Sequence, residues 1–532
     1  MAIEIVTSGD VRFDRLSHGQ NTRFPATTAD RASRIALVDN SNDVAEALER
    51  FVHQGLRPTV RSGGHCYEDF VDGNPGGAII DVSMMTSTEP PPNGPKYRLG
   101  AGSTLGRAYN DLYKRALVTI PGGTCGQVGA GGHVSGGGYG LLSRLHGVTP
   151  DWVSAVDIVT VDAAGKAHVR HATKHADADL LRACRGSGGG SYGIITNFYF
   201  DDLPKAPVEQ LRGNVSFDWE GMTEERFARI LNLYGNYWET RGQDPDTWGL
   251  FSIFGLNHRS SGRLSFSVSF VNPDGSVNDT RVVEEYLSVF DECKPIAEIT
   301  RHPVMEQHHP TPDTVGSPVC LAKYTLNKMS WIEANAPQAG PGGGAAAARN
   351  NANRPANAPP PTPMSRHKYK SNYMRRAFTR EEAAIIYKHL NRTIPGVSLQ
   401  GCTILVDSFG GAVNKKQLLE ETSVAQRSSV MKCQFIASWG DPAQDAGHIQ
   451  WIRDIFTDLY AKTPAGPKYS GTPFWSDLYE GCYINYPDVD MLQYDFWPQL
   501  YWGPGDLYPF LQSVKKKYDP GNIFHHAMSV RP

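Results

Sequence analysis

Two nucleophilic side chains stand in glycine turns of the N-terminal part of the chain. His65 closes Arg61-Ser62-Gly63-Gly64-His65, and Cys125 lies in the glycine-dense run from Pro121 to Gly140. Glycine at this density lets a backbone approach a large flat ligand closely and presents N–H donors to its phosphates. A flexible linker would be equally rich in glycine, but linkers seldom carry residues such as Cys125, His133 and Tyr139. A histidine after a glycine turn is ordinary by itself; it gains weight from the matching turn that bears Cys125.

A second group of side chains could move protons. An unperturbed phenol titrates near pH ~10, so Tyr486, which closes Tyr483-Ile484-Asn485-Tyr486, acts as a base only with a cation to favour its phenolate. Lys432 is the candidate cation. With Gln434, it lies two positions apart in Met431 to Trp439, which reads as a strand, so both side chains project to one face. Tyr67 and Tyr139 would add phenols, although any one tyrosine reads equally well as half-buried packing. Asp407, just before Phe409-Gly410-Gly411, would either bind a hydroxyl of a ligand or sit solvated at a strand end.

The elements that must hold these residues follow from periodicity and punctuation. Ile35 to Val38 reads as a strand, and Ser41-Asn42-Asp43 as the cap of a helix with apolar face Val44, Leu48, Phe51 and Val52. Leu56 to Val60 is a strand feeding the His65 turn. The pattern repeats with a strand at Ala78 to Val82 and a helix near Thr104 to Leu112. Val153 to Val161 and Lys166 to Val169 flank a hairpin turn, followed by the glycine segment Arg185 to Gly190 and a strand at Ile194 to Phe200.

Beyond about Pro204 the glycine density falls, and helices such as Glu224 to Tyr237 alternate with strands such as Leu264 to Phe270. Ala334 to Pro363 is Gly-, Ala-, Asn- and Pro-rich and reads as a mobile insertion. After it come a helix at Arg380 to Leu390 and strands at Thr403 to Asp407, Met431 to Trp439 and Tyr483 to Tyr486, which should floor a pocket. A last helix, Leu507 to Lys517, and the turn Asp519-Pro520-Gly521-Asn522 are expected to return to the first domain.

Composition narrows the partner. With 532 residues and a net charge of -3, and a pI near 6.6, the chain has no broad basic field for nucleic acid or an anionic membrane. A small molecule is expected, bound by a monomer or weak homo-oligomer. The eight cysteines show no metal-ligand or dithiol spacing, so no metal site is expected. Met1 to Asp10 carry no secretory signal and no stretch would span a bilayer, pointing to the cytoplasm, or to secretion if a precursor signal is missing here. The acceptor triplets at Asn214, Asn278 and Asn391 matter only in the second case.

Four segments, taken in order, resemble the berberine bridge enzyme-like branch of the vanillyl alcohol oxidase flavoproteins: Arg61 to His65, Gly122 to Gly140, Tyr483 to Asp488, and Tyr518 to Phe524. The resemblance covers nearly the whole chain and looks strongest to actinobacterial antibiotic-tailoring sugar oxidases and carbohydrate oxidases. It implies an α+β chain: a PCMH-type FAD-binding domain of two α/β subdomains (1–204), a substrate domain with an antiparallel sheet covered by helices (205–490), and a C-terminal segment (491–532) that rejoins the first domain.

The same resemblance implies FAD bonded through His65 at the flavin 8α methyl and through Cys125 at ring carbon 6. The tether would raise the flavin potential and leave an open cleft. Arg61, Ser62, Gly63, Gly64, Cys66, Gly123, Val128, Gly129, Gly132, His133, Tyr139, Gly140, Ile195 and Asn485 would complete the cofactor site. Val128 matches a position where a small residue goes with oxygen access. Tyr486 matches the catalytic base, with Tyr67, Tyr139, Lys432, Gln434 and Asp407 around it, and Gln434 departs from members that carry glutamate there. The implied reaction is hydride transfer from a carbohydrate alcohol, anomeric or primary, to flavin N5, with dioxygen leaving as hydrogen peroxide. Alternatives are a tailoring oxidase of a glycosylated antibiotic or phenolic alcohol, a dehydrogenase that shuns oxygen, and a binding protein that has lost chemistry.

Overall fold

The computed structural model describes residues 3–92, 94–298, 317–321, 324–335 and 365–532. Most of the expected insertion, residues 336–363, lies outside the described residues. The first sheet has four strands. Arg34–Leu37 pairs antiparallel with Glu4–Thr7 and parallel with Ala78–Asp81, which pairs parallel with Pro58–Arg61. Helix Ser41–His53 connects two of these strands and buries Val44, Ala47, Leu48 and Phe51. Val44, Leu48 and Phe51 each contribute ~1.5–3 kcal/mol of burial. Its cap lies one residue earlier than expected, because the Asn40 side chain is the one that accepts from the Asn42 and Asp43 amides.

The second sheet is antiparallel throughout, in the order Tyr97–Gly100, Ile194–Phe200, Ala155–Val161, Ala167–Thr173. The expected hairpin closes through Asp162, whose carboxylate accepts from the Ala164 and Lys166 amides. Between the two sheets runs the glycine segment. It contains a short helix, Ala130–Ser135, where the glycine count argued against one. Helical backbone suits it because Gly131 packs against the Ala101 carbonyl and Ser62.

The third sheet is large and antiparallel. Its central strands are, in order, Glu209–Asp218, Arg263–Phe270, Leu250–Asn257, Cys402–Ser408, Met431–Trp439 and the edge strand Arg366–Met374. Residues directly opposite in the ladder share a face. Ile253 opposes Asp407, and Asp407 opposes Lys432, so these three point to one side. Their neighbours point to the other, where helices Glu224–Thr240, Arg380–Leu390 and Asp445–Leu459 cover the sheet, with Tyr234 hydrogen-bonded to the Ser252 and Val406 carbonyls and Phe435 against Phe456. The fold is therefore α+β, with the uncovered side of the large sheet turned to the glycine segment.

Two buried cations join the parts. Arg144, just beyond the glycine segment, donates to the carbonyls of Leu250 (2.9 Å), Phe409 (2.5 Å) and Gly242 (2.9 Å). Lys515, in the last helix Leu507–Tyr518, pairs with Asp519 and donates to the Ser191 carbonyl. The tail thus packs on the second sheet's strand ends. The Tyr483–Tyr486 segment is a turn rather than a strand. The Tyr486 amide donates to the Tyr483 carbonyl, the Asn485 side-chain amide to the His133 carbonyl and the Tyr483 amide to the Ser371 side chain, so no ladder forms.

Candidate flavin and substrate site

One cavity is lined by all the residues singled out from the sequence. The strand end after Pro58–Arg61 delivers the His65 turn to it, the glycine segment delivers Cys125 to His133, and the large sheet supplies its floor through Ile253, Asp407, Lys432 and Gln434. The two glycine turns meet backbone to backbone. A β-carbon on Gly63 would fall on the Gly129 amide, and one on Gly140 on the Gly122 carbonyl, far inside van der Waals contact. Glycine is required there by space alone.

The attachment candidates fit an electrophilic partner. His65 is mostly buried, burial holds its pKa below the ordinary histidine value, and its Nε2 is buried with no hydrogen-bond partner among the described residues. A neutral imidazole with an unmatched nitrogen costs free energy unless a ligand meets it. Cys125 is a free, half-buried thiol. Cys66 is also a free thiol, and burial pushes it up to about 12, which makes it inert. Gly132 has open space where a side chain would be, as a surface against which a flat ring packs should.

Other expected cofactor contacts line the cavity and also brace its wall. The Arg61 guanidinium is committed to Asp81 (2.8 Å) and Asp72 (3.2 Å), so it is not free to meet a phosphate. Ser62 Oγ donates to the Ala101 carbonyl at 2.6 Å. His133, driven down to about 4 by burial, accepts from the Gly123 amide at 2.9 Å, while Tyr109 donates to the Gly123 carbonyl at 2.6 Å. Gly123 is pinned from both sides, two residues before Cys125. Gly64, Val128 and Ile195 contribute cavity wall, and Asn485 lines it while tying the Tyr486 turn to the glycine helix.

At the floor, Lys432 is buried and enclosed by the rings of Tyr139 (4.5 Å), Tyr486 (4.7 Å) and Tyr483 (5.1 Å). Its ammonium pairs with Asp407 at 2.9 Å and donates to the Tyr486 oxygen at 3.3 Å. Asp407 is buried and lines the cavity, so it is not the solvated strand-end carboxylate that the sequence allowed. It is the counter-ion of Lys432, and so Lys432 is not the lone cation expected beside Tyr486. Burial, then Asp407, hold the Tyr486 phenol well above its ordinary value. Tyr139 presents its ring, but its hydroxyl donates to the Ser408 carbonyl, which removes it from proton transfer. Gln434 approaches the Tyr67 hydroxyl at 3.5 Å, and the Tyr67 ring lies 5.7 Å from that of Tyr486.

Sequence reasoning missed several lining residues. Phe251 and Ile253 alternate on Leu250–Asn257 and add an apolar strip; the period-two pattern was there to be read. Gly188 to Tyr192, Phe524 to His526 and Met528 also line the cavity. The Arg185 to Gly190 glycines were visible, but nothing local ties them to the tail. Tyr369 stacks on Tyr67 with centroids 3.6 Å apart and planes at 14°, a pairing across distant sequence.

Comparison with known proteins decides what this cavity holds. Residues 32–169 match the FAD binding domain, and residues 482–531 the berberine and berberine-like domain. Aclacinomycin-N/aclacinomycin-A oxidase of Streptomyces galilaeus is 32% identical over 98% of this chain and 88% of its own length. The chain belongs to the berberine bridge enzyme-like family of FAD-linked oxidoreductases. Hexose oxidase of Chondrus crispus is 30% identical over 98% of the chain and 93% of its own. The crystal structure of a glycopeptide hexose oxidase complexed with teicoplanin superposes with a TM-score of 0.83 at 30% identity, covering 100% of this chain and 99% of that one. This family member is accordingly an FAD-dependent oxidoreductase, and both glycine turns lie within the matched FAD binding domain.

Replacement of Gly63 by alanine should force the two turns apart, because the clash is with backbone and cannot be relieved by a rotamer. The expected result is a cost of about 1–3 kcal/mol and loss of most bound flavin, read as the ratio of flavin to protein absorbance in the purified variant.

Proposed function

We propose that this oxidoreductase is an oxidase that carries FAD on both His65 and Cys125 and oxidises an alcohol group of a sugar, anomeric or primary, with dioxygen reduced to hydrogen peroxide. The observation that carries the reading is the convergence of Tyr486, Lys432, Gln434 and Tyr67 on a cavity walled by the two attachment turns. The names of the hexose oxidase and the glycopeptide hexose oxidase support the substrate class. Bound FAD supplies an acceptor for hydride and returns the two electrons to dioxygen.

The chain's own residues supply position and proton transfer. Tyr486 takes the hydroxyl proton as its phenolate, and Lys432 favours that anion by donating to the phenol oxygen. Gln434 and Tyr67 offer hydrogen bonds that orient a hydroxylated substrate. Asp407 neutralises Lys432, so that the buried pair adds no net charge to the cavity. Tyr139 shields the ammonium with its ring. Val128 leaves space beside the flavin for oxygen. Phe251 and Ile253 give the floor an apolar strip, which favours a second reading in which the sugar is part of a glycosylated natural product or is replaced by an aromatic alcohol.

Anaerobic bleaching of the flavin by a panel of free mono- and oligosaccharides and of glycosides with large aglycones tests the substrate class. Rapid bleaching by at least one sugar or glycoside is expected; bleaching by none would refute it.

The rate of flavin reduction should rise with pH, because only the phenolate of Tyr486 is a base and its pKa is raised. Lys432→Met should slow reduction and move this limb to higher pH, since it removes the cation and leaves the anion of Asp407 in place. Tyr486→Phe should slow reduction by roughly 10²–10⁴-fold, the range of general base catalysis, with flavin retained. Stopped-flow reduction across pH checks all three.

A further inference from the structure

At the edge of the large sheet, strand Arg366–Met374 carries lysines on the face opposite Lys432 and Gln434. Lys368 opposes Ala437 and Lys370 opposes Phe435 in the ladder, so both point away from the cavity. Both are buried and paired. Lys368 bonds to Glu68 and, at 2.6 Å, to Asp488; Lys370 bonds to Asp488 at 2.5 Å and to Asp490 at 2.8 Å. Arg453, half-exposed, closes the group on Asp490 at 2.6 Å. Three cations thus meet three carboxylates at the sheet edge.

The carboxylates belong to the two loops that carry the phenols. Glu68 follows Tyr67 directly, and Asp488 lies two residues after Tyr486. Glu68 also accepts from the Val489 amide at 3.4 Å, and Asn21 ties the Tyr67 carbonyl to that of His367 at 3.0 and 3.2 Å. Between the two lysines, Tyr369 points to the cavity side and stacks on Tyr67. One strand therefore grips the Tyr67 loop on both of its faces and the Tyr486 loop on one.

Stability alone does not account for such a group. Burying several full charges carries a desolvation cost that apolar packing of the same volume would avoid. What short charged hydrogen bonds add is fixed geometry. We propose that Glu68, Lys368, Lys370, Asp488 and Asp490 are positioning residues that set the placement of Tyr67 against Tyr486, through which they act on the reaction without touching substrate. The proposal rests on the assignment of Tyr486 as proton acceptor.

The test compares holoenzyme variants Glu68→Gln and Glu68→Gln/Lys368→Gln with wild type and Tyr486→Phe. Each is reduced anaerobically by the sugar or glycoside that bleaches the wild-type flavin fastest. Expected are full flavin content, a reduction rate at saturation lowered roughly 10- to 100-fold, as small misplacements produce, an apparent substrate dissociation constant within about threefold of wild type, and a displaced pH limb. Wild-type rate and pH limb with only a lower Tm would overturn the proposal while leaving Tyr486 as the base. A wild-type rate in Tyr486→Phe would overturn both. Where the double variant does not accumulate, Glu68→Gln decides, because it keeps the side-chain shape and leaves Lys368 on Asp488. If no sugar or glycoside bleaches wild type, the phenolate ultraviolet difference spectrum replaces the kinetic reading: the transition absent from Tyr486→Phe should move in Glu68→Gln, and an unmoved transition would overturn the proposal.

Discussion

Everything in the site depends on how closely two stretches of backbone approach each other. Gly63 lies against Gly129, so close that a β-carbon on either would strike the backbone of the other. This contact brings the His65 turn, at the end of a parallel strand, beside the Cys125 loop, which has no strand of its own. The start of the helix Leu105–Ala116 holds one side of that loop, its Leu105 and Gly106 amides donating to the Val128 and Gly126 carbonyls. On the other side, Gly123 is fixed by its amide on neutral His133 and its carbonyl on Tyr109. A nucleophile in an irregular loop is thereby given the definition of one on a strand, as a preorganised site demands.

The floor solves a different problem, that of keeping charge in a dry place. Lys432 is surrounded by three phenol rings and one carboxylate. The ring faces attract the ammonium, and Asp407 balances it, so the pair can be buried without net charge. The consequence for Tyr486 is a phenol that is neutral at rest, with a hydrogen-bond donor already at its oxygen. Its protonation is governed first by burial and then by the Asp407 carboxylate, with Lys432 donating to the same oxygen.

Much of this was legible in the sequence wherever the signal was local. The turns bearing His65 and Cys125 announced themselves by glycine, the helix Ser41–His53 by the period of its apolar face, and the shared face of Lys432 and Gln434 by strand alternation. What stayed hidden was pairing over long separations. Nothing near Arg61 shows that its guanidinium belongs to Asp72 and Asp81, and nothing near Asp407 shows that Lys432 lies opposite it in the ladder. The Lys368–Glu68 bond joins residues 300 apart. Tyr483–Tyr486 looked like a strand because aromatic residues favour sheets, but Asn485 offered its amide to the glycine helix and the segment turned.

The account stands on a flavin bonded to the chain at two points. Intact mass spectrometry of the denatured protein, followed by peptide mapping, tests this most directly. The predicted result is one FAD adduct that survives denaturation and links the peptide containing His65 to the peptide containing Cys125. A chain mass without flavin, or an adduct confined to any other residue, would contradict it.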